Sequence, residues 1–326
     1  MAAAAVVPVI LQDERNESKL KRHFGVVWDL MMQKGMEDIH LNPDHKLWYK
    51  VSGSPMKLHG TFSPREVREA GATMATIAHI WGRTLNEWHP VLETTIPFNG
   101  SRIQGLIPPI VAAPSFAIRC RATTVYTLAN YVAAGIMSET HCEAIENAIL
   151  ARKNILTIGG TGSGKTTLSN AFLDSMANLT PDHRVAIIED TGELQCKVEN
   201  AITLLASPTI TMNDCLNSCM RLKPDRIIVG EVRGPEALAL LKAWNSGHDG
   251  GFATIHANNA RAGLVKLESL VEEATIASKQ KLIAEVVNLV VFIAPDPTVP
   301  AKRRVKEVYE VVGYDQDTRQ YQFKEL

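Results

Sequence analysis

The sequence has few cysteines, no excess of charge of one sign and no long apolar run, and each absence excludes a class of protein. The five cysteines are an odd number and contain no C-x-x-C pair, which argues against both a disulfide framework and a zinc ribbon. A formal net charge of -1 over 326 residues gives no basic bias of the kind that nucleic-acid-binding proteins carry. No apolar run approaches the roughly 18 residues that a membrane-spanning helix needs. We therefore expect reduced thiols in a cytosol and a protein that is soluble or at most bound to a membrane surface.

The N-terminal segment is apolar but lacks the features of a signal peptide. Residues 1–11 have no basic residue ahead of the apolar stretch, and Pro8 interrupts that stretch. We expect no signal peptide here, and we expect residues 1–17 to be flexible.

The first part of the chain has a mixed pattern of helices and strands. Apolar residues at helical spacing from Leu20 to Met31 predict a helix that stops at Gly35. A capping box at Ser63 predicts the start of a second helix. Two hairpins and a closing strand complete the pattern, which predicts an α+β N-terminal domain over residues 1–124.

The later part of the chain has a different rhythm. Short apolar runs alternate with helical stretches, which is the pattern of a mostly parallel sheet with helices on both faces. We predict a linker over residues 125–137 and an α/β domain over residues 138–326 that ends in a β-hairpin.

The strongest motif is a glycine-rich loop between a predicted strand and a predicted helix. The segment "ILTIGGTGSGKTTL" matches the pattern G-x-x-x-x-G-K-[ST]. Its glycines let the backbone wrap a phosphate, while loop N–H groups and the helix N-terminus supply positive potential. The lysine can reach the β- and γ-phosphates, and the following threonine hydroxyl can ligate Mg²⁺. We predict that a nucleotide binds to Gly159, Gly160, Thr161, Gly162, Ser163, Gly164, Lys165, Thr166 and Thr167.

Polar side chains follow three later apolar runs, at the points where the predicted strands end. "VAIIEDTGELQ" contributes Glu189, Asp190 and Glu193, "RIIVGEVRG" contributes Glu231, and "GGFATIHANN" contributes His256. Ligands of an open α/β sheet bind outside the carboxyl ends of its strands, so these side chains are expected to converge beside the glycine-rich loop. One carboxylate can hold Mg²⁺ through water, another can orient the attacking water, and the histidine can report on a γ-phosphate.

Several basic residues near these motifs have more than one interpretation. Arg221, Arg226 and Arg233 flank the strand before Glu231. They could contact a neighbouring subunit or sense the nucleotide, or they could form ordinary salt bridges to the acidic segment. The basic run over residues 302–304 is too short for a strong lipid-binding patch and is expected to be a solvated turn.

Taken in order, the motifs resemble those of the type II/type IV secretion ATPase superfamily. The order runs from "GGTGSGKTT" through "IIEDTGELQ" and "RLKPDRIIVGEVRG" to "GGFATIHANN". Within the superfamily, "LNPDHKLWYK", "GLIPPIVAAPSFAIRCRA" and "TIHANNARAGL" resemble the TrbB-type ATPases of plasmid conjugation. The resemblance covers the chain from about Phe24 to the C-terminal hairpin.

The resemblance implies a fold, two cofactors and roles for the acidic residues. The fold would be a RecA-like P-loop ATPase domain preceded by the smaller α+β domain, and the cofactors would be ATP and Mg²⁺. Glu231 would be the Walker-B-like acid, Glu193 the general base and His256 a further catalytic residue. The metal ligands, partly through water, would be Thr166, Glu189, Asp190 and Glu231.

The resemblance also implies a homohexameric ring with nucleotide between the two domains. Arg102, Arg119 and Arg121 would then be catalytic arginines that contact the phosphates from the N-terminal domain of the same or a neighbouring subunit. The alternative for Arg119 and Arg121 is a solvated strand face.

The function that these expectations describe is an ATP-hydrolysing motor of a conjugative type IV secretion system, driving substrate or DNA transfer and pilus assembly. It would lie on the cytoplasmic face of the inner membrane, in contact with membrane components and other ATPases of the machine, without sequence-specific nucleic-acid binding. The alternatives are a pilus extension or retraction motor, a nucleic-acid-stimulated P-loop motor, and a non-hydrolysing scaffold gated by nucleotide. The neutral charge argues against the nucleic-acid motor, and the full set of acids argues against the scaffold.

Overall fold

A computed structural model describes residues 14–97, 99–121, 125–207 and 209–326. The chain divides into two compact units, Met1–Thr124 and Val125–Leu326, each with its own hydrophobic core. Residues 1–13, most of the segment predicted to be flexible, lie outside the described residues, whereas residues 14–17 begin a helix. Among the described residues, no helix combines the length and apolarity that crossing a bilayer requires.

The first unit is an α+β structure built on an antiparallel sheet. The strands lie in the order β3-β2-β1-β6-β5-β4, and helix α3 starts with the predicted capping box at Ser63. Its elements are α1 (Glu14–Phe24), α2 (Val26–Met31), β1 (Met36–Leu41), β2 (Lys46–Val51), β3 (Lys57–Thr61), α3 (Pro64–Ile80), β4 (Val91–Thr95), β5 (Arg102–Leu106) and β6 (Ser115–Arg119).

The helix predicted from Leu20 to Met31 is two helices. Gly25 separates them with a φ of 51°, a conformation that residues with a side chain rarely adopt. The apolar spacing is nevertheless right, because Leu20, Phe24 and Met31 are all buried in the core of the unit. The periodicity therefore identified the buried face but not the break.

The second unit is an α/β structure with a mostly parallel sheet. Its strands lie in the order β14-β13-β12-β7-β11-β10-β8-β9; neighbours from β12 to β9 pair parallel, while β13 and β14 form the predicted C-terminal hairpin. Its elements are α4 (Leu128–Ala133), α5 (Glu139–Leu150), β7 (Ile155–Ile158), α6 (Lys165–Leu179), β8 (Val185–Glu189), β9 (Ala201–Leu205), α7 (Met212–Cys219), β10 (Arg226–Val229), α8 (Glu236–Trp244), β11 (Phe252–Ile255), α9 (Ala260–Glu272), α10 (Gln280–Val286), β12 (Leu289–Pro295), β13 (Arg303–Asp315) and β14 (Gln320–Glu325).

Two hydrophobic cores cover the two faces of this sheet. One contains the apolar side chains of α7, α8, α9 and α10, and the other contains those of α4, α5 and α6. Alternate residues of the central strands enter opposite cores, as Leu156 and Ile155 of β7 do. Burial on both faces explains why these strands read as continuous apolar runs in the sequence.

Residues 125–137 differ from the predicted linker. They include helix α4, whose Thr127 side chain accepts a hydrogen bond from the Asn130 N–H in a capping box. Leu128 and Tyr131 are buried in the core of the second unit, together with Met137. The segment is therefore part of that unit, because its apolar side chains fill the same core as α5 and α6.

Candidate functional site

The site lies where four neighbouring parallel strands of the second unit end. The strands β7, β11, β10 and β8 are adjacent in that order, so the residues that follow them form a row at one edge of the sheet. The glycine-rich loop follows β7, His256 follows β11 and Glu231 follows β10, while Glu189 is the last residue of β8. The structure thus brings the predicted polar groups to the edge that carries the glycine-rich loop.

The glycine-rich loop joins β7 to the start of helix α6. Gly164, the residue before the helix, has a φ of 101° that favours glycine, and no side chain caps the helix. The Lys165 side chain is only 8% exposed and turns back over the loop. Its Nζ donates hydrogen bonds to the carbonyl oxygens of Gly159 at 3.0 Å and Gly160 at 3.1 Å. The ammonium group is therefore held inside the loop that a phosphate would enter.

His256 connects this lysine to the acid after β10. Its Nδ1 lies 3.2 Å from Lys165 Nζ, and its Nε2 lies 2.6 Å from Glu231 Oε1. Burial lowers the pKa of His256, and the charge of Lys165 lowers it further, while Glu231 acts in the opposite direction. A neutral imidazole can accept from the lysine. Its contact with Glu231 is a short approach without hydrogen-bond geometry, so His256 links the two groups by position and adds no charge.

Arg233 extends the same chain of contacts to the acidic segment after β8. Its guanidinium donates to Glu231 Oε2 at 2.5 Å and to Asp190 Oδ2 at 2.7 Å. The hydrogen bond to Glu231 is the main cause that raises the pKa of Arg233. The salt bridge to the acidic segment, one of the interpretations of Arg233, forms within the chain. Its position two residues after Glu231 was the signal that placed it near the site.

Glu189, one of the predicted metal ligands, is buried and holds the backbone of the turn that follows β8. Its carboxylate is 3% exposed, and Oε1 accepts hydrogen bonds from the N–H groups of Glu193 and Leu194, both at 3.0 Å. The side chain also packs against Gly230, where an added Cβ would lie 3.0 Å from the Glu189 Cγ. Glu189 therefore fixes the turn that carries Glu193, and Gly230 leaves the space that this packing needs.

The oxygen donors near the loop suit a cation held partly by other ligands. Within residues 14–97, 99–121, 125–207 and 209–326, no three His, Cys, Asp or Glu side chains come together as a metal cage. Thr166 stands in the first turn of α6, while Glu231 and Asp190 are joined through Arg233. Hydroxyl and carboxylate oxygens in such small number fit Mg²⁺, which usually keeps water and substrate oxygens as ligands.

Arg226 is a structural residue far from the carboxyl edge of the sheet. It begins β10, is 0% exposed and donates to the carbonyl oxygens of Gly250 at 2.6 Å and Ile149 at 2.8 Å. Its Nε donates to His183 Nδ1 at 2.8 Å. Neither interpretation offered for it from sequence describes this arrangement, because its partners are two backbone carbonyls and a histidine.

The three predicted catalytic arginines lie close together in the first unit. Arg102 and Arg119 are directly opposite each other in the antiparallel pair of β5 and β6, and Asp38 of β1 is opposite Arg119 on its other side. Arg121 follows β6, and its side chain packs over Gly100. Like charges opposite each other destabilise a sheet unless an anion or acid offsets them. The structure thus groups the three side chains at one end of the same strand pair.

The fold and site define an α/β protein with a charged network around a glycine-rich loop at the carboxyl edge of its sheet. The family model described as "Type II/IV secretion system protein" matches residues 14–318, and the chain belongs to that family. It is 44% identical over 277 residues to the conjugal transfer protein TrbB of Rhizobium radiobacter, covering 85% of this chain and 84% of that one. It is also 28% identical over 273 residues to the type IV secretion system protein VirB11 of Bartonella henselae, covering 70% and 75%. The family resemblance predicted from the motifs is confirmed.

Solved structures support the fold. The ATPase DotB of Legionella pneumophila has a TM-score of 0.64 at 19% identity, covering 92% of this chain and 82% of that one. The pilus retraction motor PilT with bound ADP has a TM-score of 0.64 at 18% identity, covering 90% and 84%. At these identities the likeness establishes a shared α/β architecture.

Proposed function

We propose that this protein is an ATP-hydrolysing motor of a conjugative type IV secretion system. The observation that carries the proposal is the contact between Lys165 of the glycine-rich loop and His256, which in turn meets Glu231. The loop that can bind phosphates therefore lies at the same edge of the sheet as His256 and Glu231, which can contact those phosphates. The 44% identity to a conjugal transfer protein supplies the cellular context.

In the proposed reaction the loop holds the phosphates of ATP. Lys165 now donates to two loop carbonyls, and a doubly charged phosphate is a stronger acceptor than a neutral carbonyl. The lysine would therefore turn to the β- and γ-phosphates, and its contact with His256 would loosen. His256 could then donate to a γ-phosphate oxygen, which makes the histidine sensitive to the presence of that group.

Glu193 is the proposed general base that orients and deprotonates the attacking water. The backbone N–H of Glu193 donates to the buried carboxylate of Glu189. This hydrogen bond holds the general base in a fixed position. Glu231 would complete the site as the Walker-B-like acid. Its two oxygens already face His256 and Arg233, so a change at the phosphates can reach the acidic segment through this residue.

Mg²⁺ is part of the proposal as the cation that accompanies the nucleotide. Thr166, Glu189, Asp190 and Glu231, partly through water, would hold it, and when bound it would neutralise charge that develops on the phosphates. Arg233 balances Glu231 and Asp190 in the present arrangement, so its salt bridges would have to adjust when those carboxylates face a divalent cation.

The proposal includes a RecA-like second unit and a homohexameric ring. The strand order β12-β7-β11-β10-β8, with the glycine-rich loop after β7, supports the RecA-like assignment. In the ring, Arg102, Arg119 and Arg121 would reach the phosphates from the first unit of the same or a neighbouring subunit. Their grouping at one end of β5 and β6 supports a shared anionic target.

The proposed location is the cytoplasmic face of the inner membrane, where the ring would contact membrane components and other ATPases of the secretion machine. The relatives named as conjugal transfer and type IV secretion proteins support this placement. Sequence-specific binding of nucleic acid is not part of the proposed role.

The experiment that tests the proposal measures ATP hydrolysis by the full chain and by Lys165→Ala. We expect the variant to lose more than about 100-fold in rate, because a preorganised positive group at the phosphates is removed. Lys153→Ala is the matched control, since Lys153 loses the same charge in the same unit but pairs with Glu310 instead. A wild-type chain without ATPase activity, or a rate that Lys165→Ala leaves intact, would refute the ATPase.

The conjugative role needs a cellular measurement. In a donor strain that lacks this chain, plasmid transfer should be restored by the wild-type gene and by Lys153→Ala, but not by Lys165→Ala. Normal transfer in the strain without the chain would overturn the conjugative role even if the purified protein hydrolyses ATP.

A further inference from the structure

A second basic side chain lies against the glycine-rich loop, on the side away from His256. Arg303 is the first residue of β13 and pairs with Pro295 at the end of β12. A Cβ built on Gly164 would stand 2.8 Å from Arg303 Nη1 and 3.4 Å from its Cδ. The guanidinium therefore rests on the last glycine of the loop, at the start of α6. The solvated turn predicted for residues 302–304 does not describe this position.

The neighbouring strand explains how Arg303 reaches the loop. β12 runs parallel to β7 as far as the pair Phe292–Ile158 and then continues beside the glycine-rich loop. A Cβ on Gly159 would lie 2.5 Å from the carbonyl oxygen of Ile293, which shows how closely the loop follows this strand. Because β13 pairs with the extension of β12, its first residue projects beside the loop.

Arg303 and Arg304 carry the same charge but have different surroundings. Arg304 Nε lies 3.3 Å from Asp296 Oδ2, an ordinary ion pair. Within the part of the chain that the structure describes, no carboxylate forms an ion pair with Arg303. The charge of Arg303 also acts on the buried Tyr131: burial raises the pKa of this phenol, and the positive charge of Arg303 opposes that effect. A half-buried cation is thus held against a phosphate-binding loop without an acid to balance it.

The order of the strands decides which part of a nucleotide Arg303 faces. Outward from β7, one side of the sheet carries β11 and β10 with His256 and Glu231, and the other carries β12 and β13 with Arg303. In the proposed function the γ-phosphate faces His256 and Glu231. The nucleotide then runs across the loop toward β12, so Arg303 lies on the side of the loop that the α-phosphate faces.

We propose that Arg303 binds the α-phosphate of a nucleoside di- or triphosphate seated on the glycine-rich loop. This inference rests on the proposed function and adds a binding residue that the motif does not contain. The guanidinium can donate two parallel hydrogen bonds to phosphate oxygens, and its present position next to Gly164 requires little rearrangement to do so. Since ADP and ATP share the α-phosphate, Arg303 should contribute equally to the binding of both.

The test measures the dissociation constants of ADP and of a non-hydrolysable ATP analogue by calorimetry, with wild-type chain, Arg303→Gln and Arg304→Gln. We expect Arg303→Gln to weaken both ligands by roughly tenfold, the size of one charge-assisted contact. Arg304→Gln removes the same charge from the adjacent position and should bind both within about twofold of wild type.

Three results would overturn the assignment of Arg303. The first is unchanged affinity in Arg303→Gln, the second is a loss confined to the ATP analogue, which would place the contact at the γ-phosphate, and the third is an equal loss in Arg304→Gln. A wild-type chain that binds neither nucleotide would instead refute the proposed function itself.

Thermal unfolding without nucleotide separates binding from folding. If Arg303→Gln lowers the unfolding temperature, Arg303→Lys decides, because it keeps the charge but has a single donor group in place of the fork. A loss of about threefold or more for both ligands in Arg303→Lys supports the assignment, and wild-type affinity overturns it.

Discussion

At the scale of single residues, the side chains of the site form a connected series of basic and acidic groups. Lys165 meets His256, His256 meets Glu231, and Arg233 joins Glu231 to Asp190. Because the pKa of His256 is lowered by burial and by Lys165, the imidazole separates the lysine from the carboxylate as a neutral group. A phosphate that draws Lys165 away from His256 would therefore change the contacts of His256, Glu231 and Arg233 as well.

Glu193→Gln tests the proposed general base. The amide keeps the size of the side chain, and the backbone N–H that Glu189 holds is unchanged, so nucleotide should still bind. Hydrolysis should fall by about 100-fold or more, because the water loses its proton acceptor. Single-turnover ATPase rates and ADP affinity check this together. Hydrolysis at the wild-type rate would remove Glu193 from the mechanism.

Arg226→Met tests the structural assignment of the buried arginine. Two buried carbonyl oxygens, of Gly250 and Ile149, would lose their donors. Each unsatisfied buried group costs about 1–3 kcal/mol, so we expect the free energy of unfolding to fall by about 2–6 kcal/mol. Urea unfolding measures it, with Arg221→Met as the control, since Arg221 is exposed and should change stability by less than about 0.5 kcal/mol. Equal effects of the two variants would contradict the assignment.

At the scale of elements, the start of the described part of the first unit is formed by two helices, α1 and α2, with a break between them. Leu20 and Phe24 of α1 pack in the same core as Val27 of α2. The two helices do not form one straight helix, because the backbone turns at Gly25. The positive φ of this glycine redirects the chain within a single residue. The break is therefore part of how the first two helices share one core.

Gly25→Ala isolates the backbone contribution of this break. A Cβ on Gly25 would meet nothing within 4 Å, so the substitution causes no clash and acts through φ alone. We expect the unfolding free energy of the first unit to fall by about 1–3 kcal/mol. Gly60→Ala in β3 is the control, because it has the same open surroundings without a positive φ. A loss in Gly60→Ala as large as in Gly25→Ala would show that the strain at φ is not the cause.

At the scale of the whole molecule, the chain has two units of different architecture, and the proposed ring would use both. If these arginines come from a neighbouring subunit, the active site can work only after assembly. Hydrolysis per subunit should then rise with protein concentration and reach a plateau once rings form. The concentration series is measured with Lys165→Ala as the blank, and light scattering reports the mass at each point. A constant rate from a monomeric sample would end the ring proposal.

Much of the second unit could be predicted because its signals are local. The runs "ILTI", "VAIIE", "RIIV" and "FATI" coincide with the bounds of β7, β8, β10 and β11, since strands buried on both faces must be apolar throughout. By contrast, β9 was not predicted, and its half-buried residues lie at the edge of the sheet, where the apolar demand is weaker. Residues 125–137 carry no clear helical signal in the sequence, because the helix after the capping box at Thr127 has only six residues, too few for periodicity to show.

The family, the glycine-rich loop and the order of the polar groups are readable from the sequence, because each depends on residues that are close in the chain. The tertiary structure alone decided what several charged side chains do. Glu189 accepts hydrogen bonds from the backbone of its own turn, Arg226 binds carbonyls far from the site, and Arg303 reaches Gly164 across more than a hundred residues of chain. A side chain's charge is readable in the sequence, but its partner is set by which strands become neighbours, and that follows from the packing of the whole sheet.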